Sequence, residues 1–73
     1  MTPYKNLSGN SGVEEYEIGP DFIRVKFRKM SKLYIYNHAS AGTSNIEEMK
    51  SLAEAGQGLA TFISQNVRDD YVR

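Results

Sequence analysis

Residues 22–36 join two runs of alternating side chains at a short turn: Phe22-Ile-Arg-Val-Lys-Phe-Arg-Lys-Met-Ser-Lys-Leu-Tyr-Ile-Tyr36. Ile23, Val25 and Phe27 interleave with Arg24, Lys26 and Arg28, the two-residue period of a half-buried strand. The pattern predicts a β-hairpin with one apolar and one basic face, and so an antiparallel sheet. Five of the nine cationic side chains, Arg24, Lys26, Arg28, Lys29 and Lys32, crowd into it.

The remaining pattern supplies partners for that hairpin. Val13 to Ile18 reads as an earlier strand with Glu14, Tyr16 and Ile18 on one face, joined to the hairpin by a Gly19-Pro-Asp21 turn. After His38 the period lengthens. Residues 39–43 read as loop, and Ser44 with Glu47 three residues on forms a capping box for a helix presenting Ile46, Met49, Leu52 and Ala53. Gly56-Gln-Gly58 closes that helix. A second helix follows with Leu59, Phe62, Ile63 and Val67 on one stripe, which Tyr71 extends. Strands before helices imply an α+β fold, a three-stranded antiparallel meander followed by two helices packed on one face of the sheet. Residues 1–12, ending in Ser8-Gly-Asn-Ser-Gly12, read as a flexible leader to a single domain over residues 13–73.

Turn geometry proposes a register. A two-residue turn at Met30-Ser31 sets Lys29 opposite Lys32, Arg28 opposite Leu33, Phe27 opposite Tyr34 and Val25 opposite Tyr36. A turn at Pro20-Asp21 sets Ile18 opposite Ile23, Glu17 opposite Arg24, Tyr16 opposite Val25 and Glu15 opposite Lys26. Opposed residues share a face. Tyr34 and Tyr36 therefore join the core, while Leu33 and Ile35 lie among the cations. Strand-one glutamates neutralise Arg24 and Lys26, leaving Arg28, Lys29 and Lys32 as the free positive charge.

Composition narrows the functional classes. With 73 residues the core is small, and without cysteine neither a disulfide nor a thiolate metal site can reinforce it. The cysteine-free composition suits a reducing, cytoplasmic setting. Nine basic and nine acidic side chains balance, so any electrostatic binding must come from uneven distribution. No apolar run approaches the roughly 20 residues of a membrane span, and no membrane partner is expected.

Catalytic chemistry finds little footing. His38 is the only histidine and reads as a polar residue at a strand end rather than a general base. Ser8-Gly-Asn-Ser-Gly12 lacks the Gly-Lys-Ser/Thr ending of a phosphate loop. A metal site would need His38 with Glu47, Glu48, Asp69 or Asp70, and the adjacent aspartates read as solvated charge. The expectation is a non-enzymatic protein without cofactor, metal or catalytic residue.

Val13 and Tyr16, Ile23-Arg-Val-Lys-Phe27, Tyr34-Ile-Tyr36, and Phe62-Ile63 with Val67-Arg68 and Tyr71 together resemble the KTSC domain, named for the C-terminus of some lysyl-tRNA synthetases. The resemblance spans roughly residues 8–71. It departs at His38-Ala39, where the family has Val-Pro, and at Gly58-Leu-Ala60, where it has Ser-x-Gly. Members also occur as free-standing small proteins of bacterial or phage type. The synthetase context implies RNA, tRNA in particular, as ligand, with Arg24, Lys26, Arg28, Lys29 and Lys32 as the contact residues. The alternative is a protein-interaction or homodimerisation module that uses the sheet face, where Leu33 and Ile35 lie, or the edge of the third strand.

Overall fold

The computed structural model describes residues 1–7, 9, 11–30 and 32–72. The architecture is α+β, a four-stranded antiparallel sheet of order β1-β2-β3-β4 with helices on one face. The strands are β1 (Thr2–Pro3), β2 (Val13–Ile18), β3 (Phe22–Phe27) and β4 (Leu33–Asn37).

The first strand corrects two expectations, the strand count and the leader at residues 1–12. Thr2 lies opposite Tyr16 and Pro3 opposite Glu15. The Tyr4 amide then donates to the Glu14 carbonyl at 2.9 Å. Tyr4 is only 6% exposed, and its hydroxyl accepts from the Leu59 amide at 3.3 Å. Burying a large aromatic ring repays the ordering of a segment whose composition otherwise reads as loop. Pro3 suits an outer strand, where its missing N–H leaves no ladder bond unmade.

The β2–β3 register matches the expectation from Ile18 opposite Ile23 to Glu15 opposite Lys26. It then shifts, so that Val13 rather than Glu14 meets the core side, opposite Phe27. Strict alternation would turn the Glu14 carboxylate inward. The irregularity absorbs one residue, leaving Val13 fully buried and Glu14 exposed.

The β3–β4 register is offset by two residues from the expected one. Val25 faces Tyr34 and Ile23 faces Tyr36, while Lys26 faces Leu33. Because side chains alternate with period two, an offset of two keeps every residue on its predicted face. The ladder ends at Lys26–Leu33, so Lys29 and Lys32 are not opposed. Of the expected Met30-Ser31 turn, Ser31 lies outside the described residues.

The helical part begins earlier than the sequence suggests. Residues 38–41 form α1 (His38–Ala41), where a loop is expected. The capping box belongs to this turn: Asn37 Oδ1 accepts from the Ser40 amide at 2.7 Å, and Ser40 Oγ accepts from the Asn37 amide at 3.1 Å. Ser44 caps nothing; α2 (Thr43–Ala55) starts behind Gly42 without a side-chain cap. Its buried residues, Ile46, Met49 and Ala53, are three of the four on the expected face, and Leu52 is half-buried.

The last helix is split. α3 (Leu59–Phe62) runs directly into a π-helical segment, Ile63–Val67. Leu59, Ile63 and Val67 are buried at four-residue spacing. In a strict α-helix that spacing drifts about 40° around the axis at each step, and a widened turn returns Val67 to the core. The Asn66 side chain donates to the Phe62 carbonyl at 3.1 Å, satisfying an acceptor there. Beyond it, Tyr71 packs edge-on against Tyr34, and the Val72 amide donates to the Ile35 carbonyl of β4 at 2.6 Å.

The core lies between the helices and the face carrying Val13, Ile23, Val25 and Tyr36. The helices thus cover the tyrosine face. Arg24 and Lys26, with Leu33 and Ile35, lie on the other one.

Candidate nucleic-acid interface

The five cations separate into two groups. Arg24 Nη1 lies 3.2 Å from Glu17 Oε1, and its guanidinium stands 5.4 Å from the Phe22 ring centre. Lys26 bonds the Glu14 carboxylate rather than that of Glu15, a consequence of the register shift at Glu14. The hydrogen bond from Lys26 and its charge hold the Glu14 carboxyl below its ordinary range, and Arg28 adds to the effect. The same bond raises the Lys26 ammonium. These two cations are neutralised where they stand.

Arg28, Lys29 and Lys32 follow the end of the β3 ladder and are exposed. Among the described residues none of them makes an ion pair. Arg28 follows the end of β3, and its amide is anchored to the Gly12 carbonyl at 2.8 Å. Lys32 Nζ sits 5.4 Å from the Tyr34 ring centre and 5.5 Å from that of Tyr71, a doubled cation–π contact.

Beneath Lys32 lies an aromatic cluster. Phe27 meets Tyr34 edge-on at 5.6 Å, Tyr34 meets Tyr71 at 4.9 Å, and Tyr71 meets Tyr36 at 6.4 Å. These rings wall an open cleft of about 450 Å³ whose opposite side carries Ile63, Ser64 and Arg68. Tyr36 is 2% exposed, and its phenol is pushed up to about 12, first by burial and then by Tyr34, Tyr71 and the two aspartates at 69 and 70. Its hydroxyl makes no hydrogen bond to a described residue.

The sequence places Tyr34 and Tyr36 in the core. Tyr36 is buried, whereas Tyr34 is half-buried and faces the cleft. Sequence reasoning misses Ser64 and Arg68 as cleft residues, because a regular helix gives no sign of a widened turn. The stripe continuing from Val67 to Tyr71 is the one signal pointing to this corner.

His38 opens α1, with Nε2 3.6 Å from Glu47 Oε2. Glu47 in turn pairs with Lys50 at 3.1 Å, and these contacts hold its carboxyl below its ordinary range. Among the described residues no three His, Cys, Asp or Glu side chains converge as a metal site. No helix there is long and apolar enough to cross a membrane.

No protein family, curated protein or solved structure was found to match the chain.

Proposed function

We propose that this chain is a small non-enzymatic RNA-binding module, in keeping with its KTSC-like pattern, that holds the phosphates of a single strand through Arg28, Lys29 and Lys32. The observation that carries the reading is three exposed cations with no ion pair among the described residues, one of which, Lys32, stands over two rings of an aromatic cleft. Single-strand binders combine those two elements, cations along the backbone path and rings beneath the bases. Arg24 and Lys26, engaged by Glu17 and Glu14, contribute less. tRNA is the form of RNA that the synthetase context of the KTSC domain suggests.

The test is anisotropy of a labelled eight-nucleotide RNA at two salt concentrations. Three neutralised phosphates give a log–log salt slope of about −2, so raising salt from about 50 to about 200 mM weakens binding roughly 20-fold. Arg28→Ala with Lys32→Ala flattens that slope, whereas Arg24→Ala leaves it nearly intact. No binding at low salt, or an undiminished slope in the double variant, refutes the reading.

The second reading is homodimerisation through the outer sheet face. It rests on Leu33, which is 40% exposed, next to half-buried Ile35. It requires a solution mass that rises with concentration and a Leu33→Lys variant that stays monomeric.

A further inference from the structure

The cleft contains more than phosphate binding uses. Its volume of about 450 Å³ lies in the lower part of the range of small-ligand sites. Its walls include the flat rings of Phe27, Tyr34 and Tyr71 and the aliphatic Ile63. Polar groups are interspersed among them. Tyr36 lines the cleft, and its hydroxyl has no hydrogen-bond partner among the described residues. Ser64 adds a second hydroxyl. Lys32 stands over two of the wall rings, and Arg68 lies in the lining.

We infer that this cleft seats one nucleobase of the bound strand, an inference that rests on the RNA-binding reading. An aliphatic occupant would bury the Tyr36 hydroxyl unpaired, which is costly. A base instead brings a π-face for the rings and edge groups for the hydroxyls. It also arrives attached to phosphate, matching the cations Lys32 and Arg68. Asp69 lines the cleft too. The widened turn at Ile63–Val67 supplies two lining residues, Ile63 and Ser64, and such turns recur at functional sites.

The experiment compares an eight-nucleotide RNA with a ribose-phosphate strand of equal length and charge lacking all bases. The base seat predicts binding weaker by on the order of ten-fold or more for the abasic strand. Tyr36→Phe and Ser64→Leu should each weaken the intact strand and leave the abasic one unchanged. Ser64 is exposed, so Ser64→Leu obstructs the cleft without repacking the core. Equal affinity of the two strands, both lost in Arg28→Ala with Lys32→Ala, overturns the base seat and leaves the RNA reading standing. Failure of both strands to bind overturns both. Adenosine 5′-monophosphate shifting the Ile63 and Ser64 amide resonances, with neither strand binding, assigns the cleft to a free nucleotide and overturns the strand-bound base.

Discussion

Replacing Tyr4 by alanine tests whether the first residues belong to the fold. The ring is 6% exposed, packs edge-on against Tyr16 at 6.5 Å and accepts a hydrogen bond from Leu59. Truncating a buried aromatic costs about 3–5 kcal/mol. A chain of this size is stable by roughly 4–11 kcal/mol in total, so Tyr4→Ala removes a large share. With a urea slope of about 1 kcal/mol per molar, the midpoint falls by roughly 3 M or more. Tyr4→Phe keeps the ring and strands the Leu59 amide, costing about 1–2 kcal/mol. Leu7→Ala is the control: that side chain is 64% exposed, and its loss should stay within about 0.5 kcal/mol. Far-ultraviolet circular dichroism against urea measures all three. A Tyr4→Ala midpoint equal to that of Leu7→Ala would falsify docking of this segment and the four-stranded sheet with it.

Two further outcomes follow from the geometry. Tyr36 ionises near 12 in the folded chain and near 10 once unfolded, so its contribution is complete below about pH 10 and declines as pH rises toward 12. Stability should fall by about 1.4 kcal/mol at pH 11 from this group, a loss absent in Tyr36→Phe and readable from urea midpoints at paired pH values. Gly56 and Gly58 have similar positive φ, 79° and 84°, but a Cβ at Gly56 would lie 2.5 Å from Lys5 Cβ, whereas at Gly58 the nearest atom is 3.5 Å away. Gly58→Ala should cost about 1–2 kcal/mol and Gly56→Ala clearly more; equal midpoints would contradict the close approach of Lys5.

Much of the sheet was legible because side-chain parity survives errors in pairing. The hairpin register slips by two residues, yet Tyr34 and Tyr36 stay on the covered face and Arg24 and Lys26 on the open one. Glu14 shows the limit. Alternation alone assigns it to the Tyr16 face, and only the demand to bury Val13 moves it. β1 went unread because a two-residue strand containing Pro3 has no period to detect. The sequence offers a capping box at Ser44 and Glu47, whereas Asn37 and Ser40 use the same three-residue spacing seven residues earlier. The Glu17–Arg24 pair was legible from charge and register together, whereas Lys26, expected beside Glu15, takes Glu14 instead. The cleft was not, since it depends on the π-helical turn and on Tyr71 folding back over Tyr34.

The contact of Tyr71 with Tyr34 and the bond from Val72 to Ile35 also bear on synthesis. The sheet's covered face is complete once Asn37 has emerged, but its cover comes from the helices and from Tyr71. At about 5–20 residues per second, translation from Asn37 to Tyr71 takes roughly 2–7 s. Over that interval the helical cover for Ile23, Val25 and Tyr36 becomes available in steps, with Tyr71 following the helices. The nascent hairpin therefore presents apolar surface to whatever binds such surface at the ribosome exit until the helices and Tyr71 can close over it.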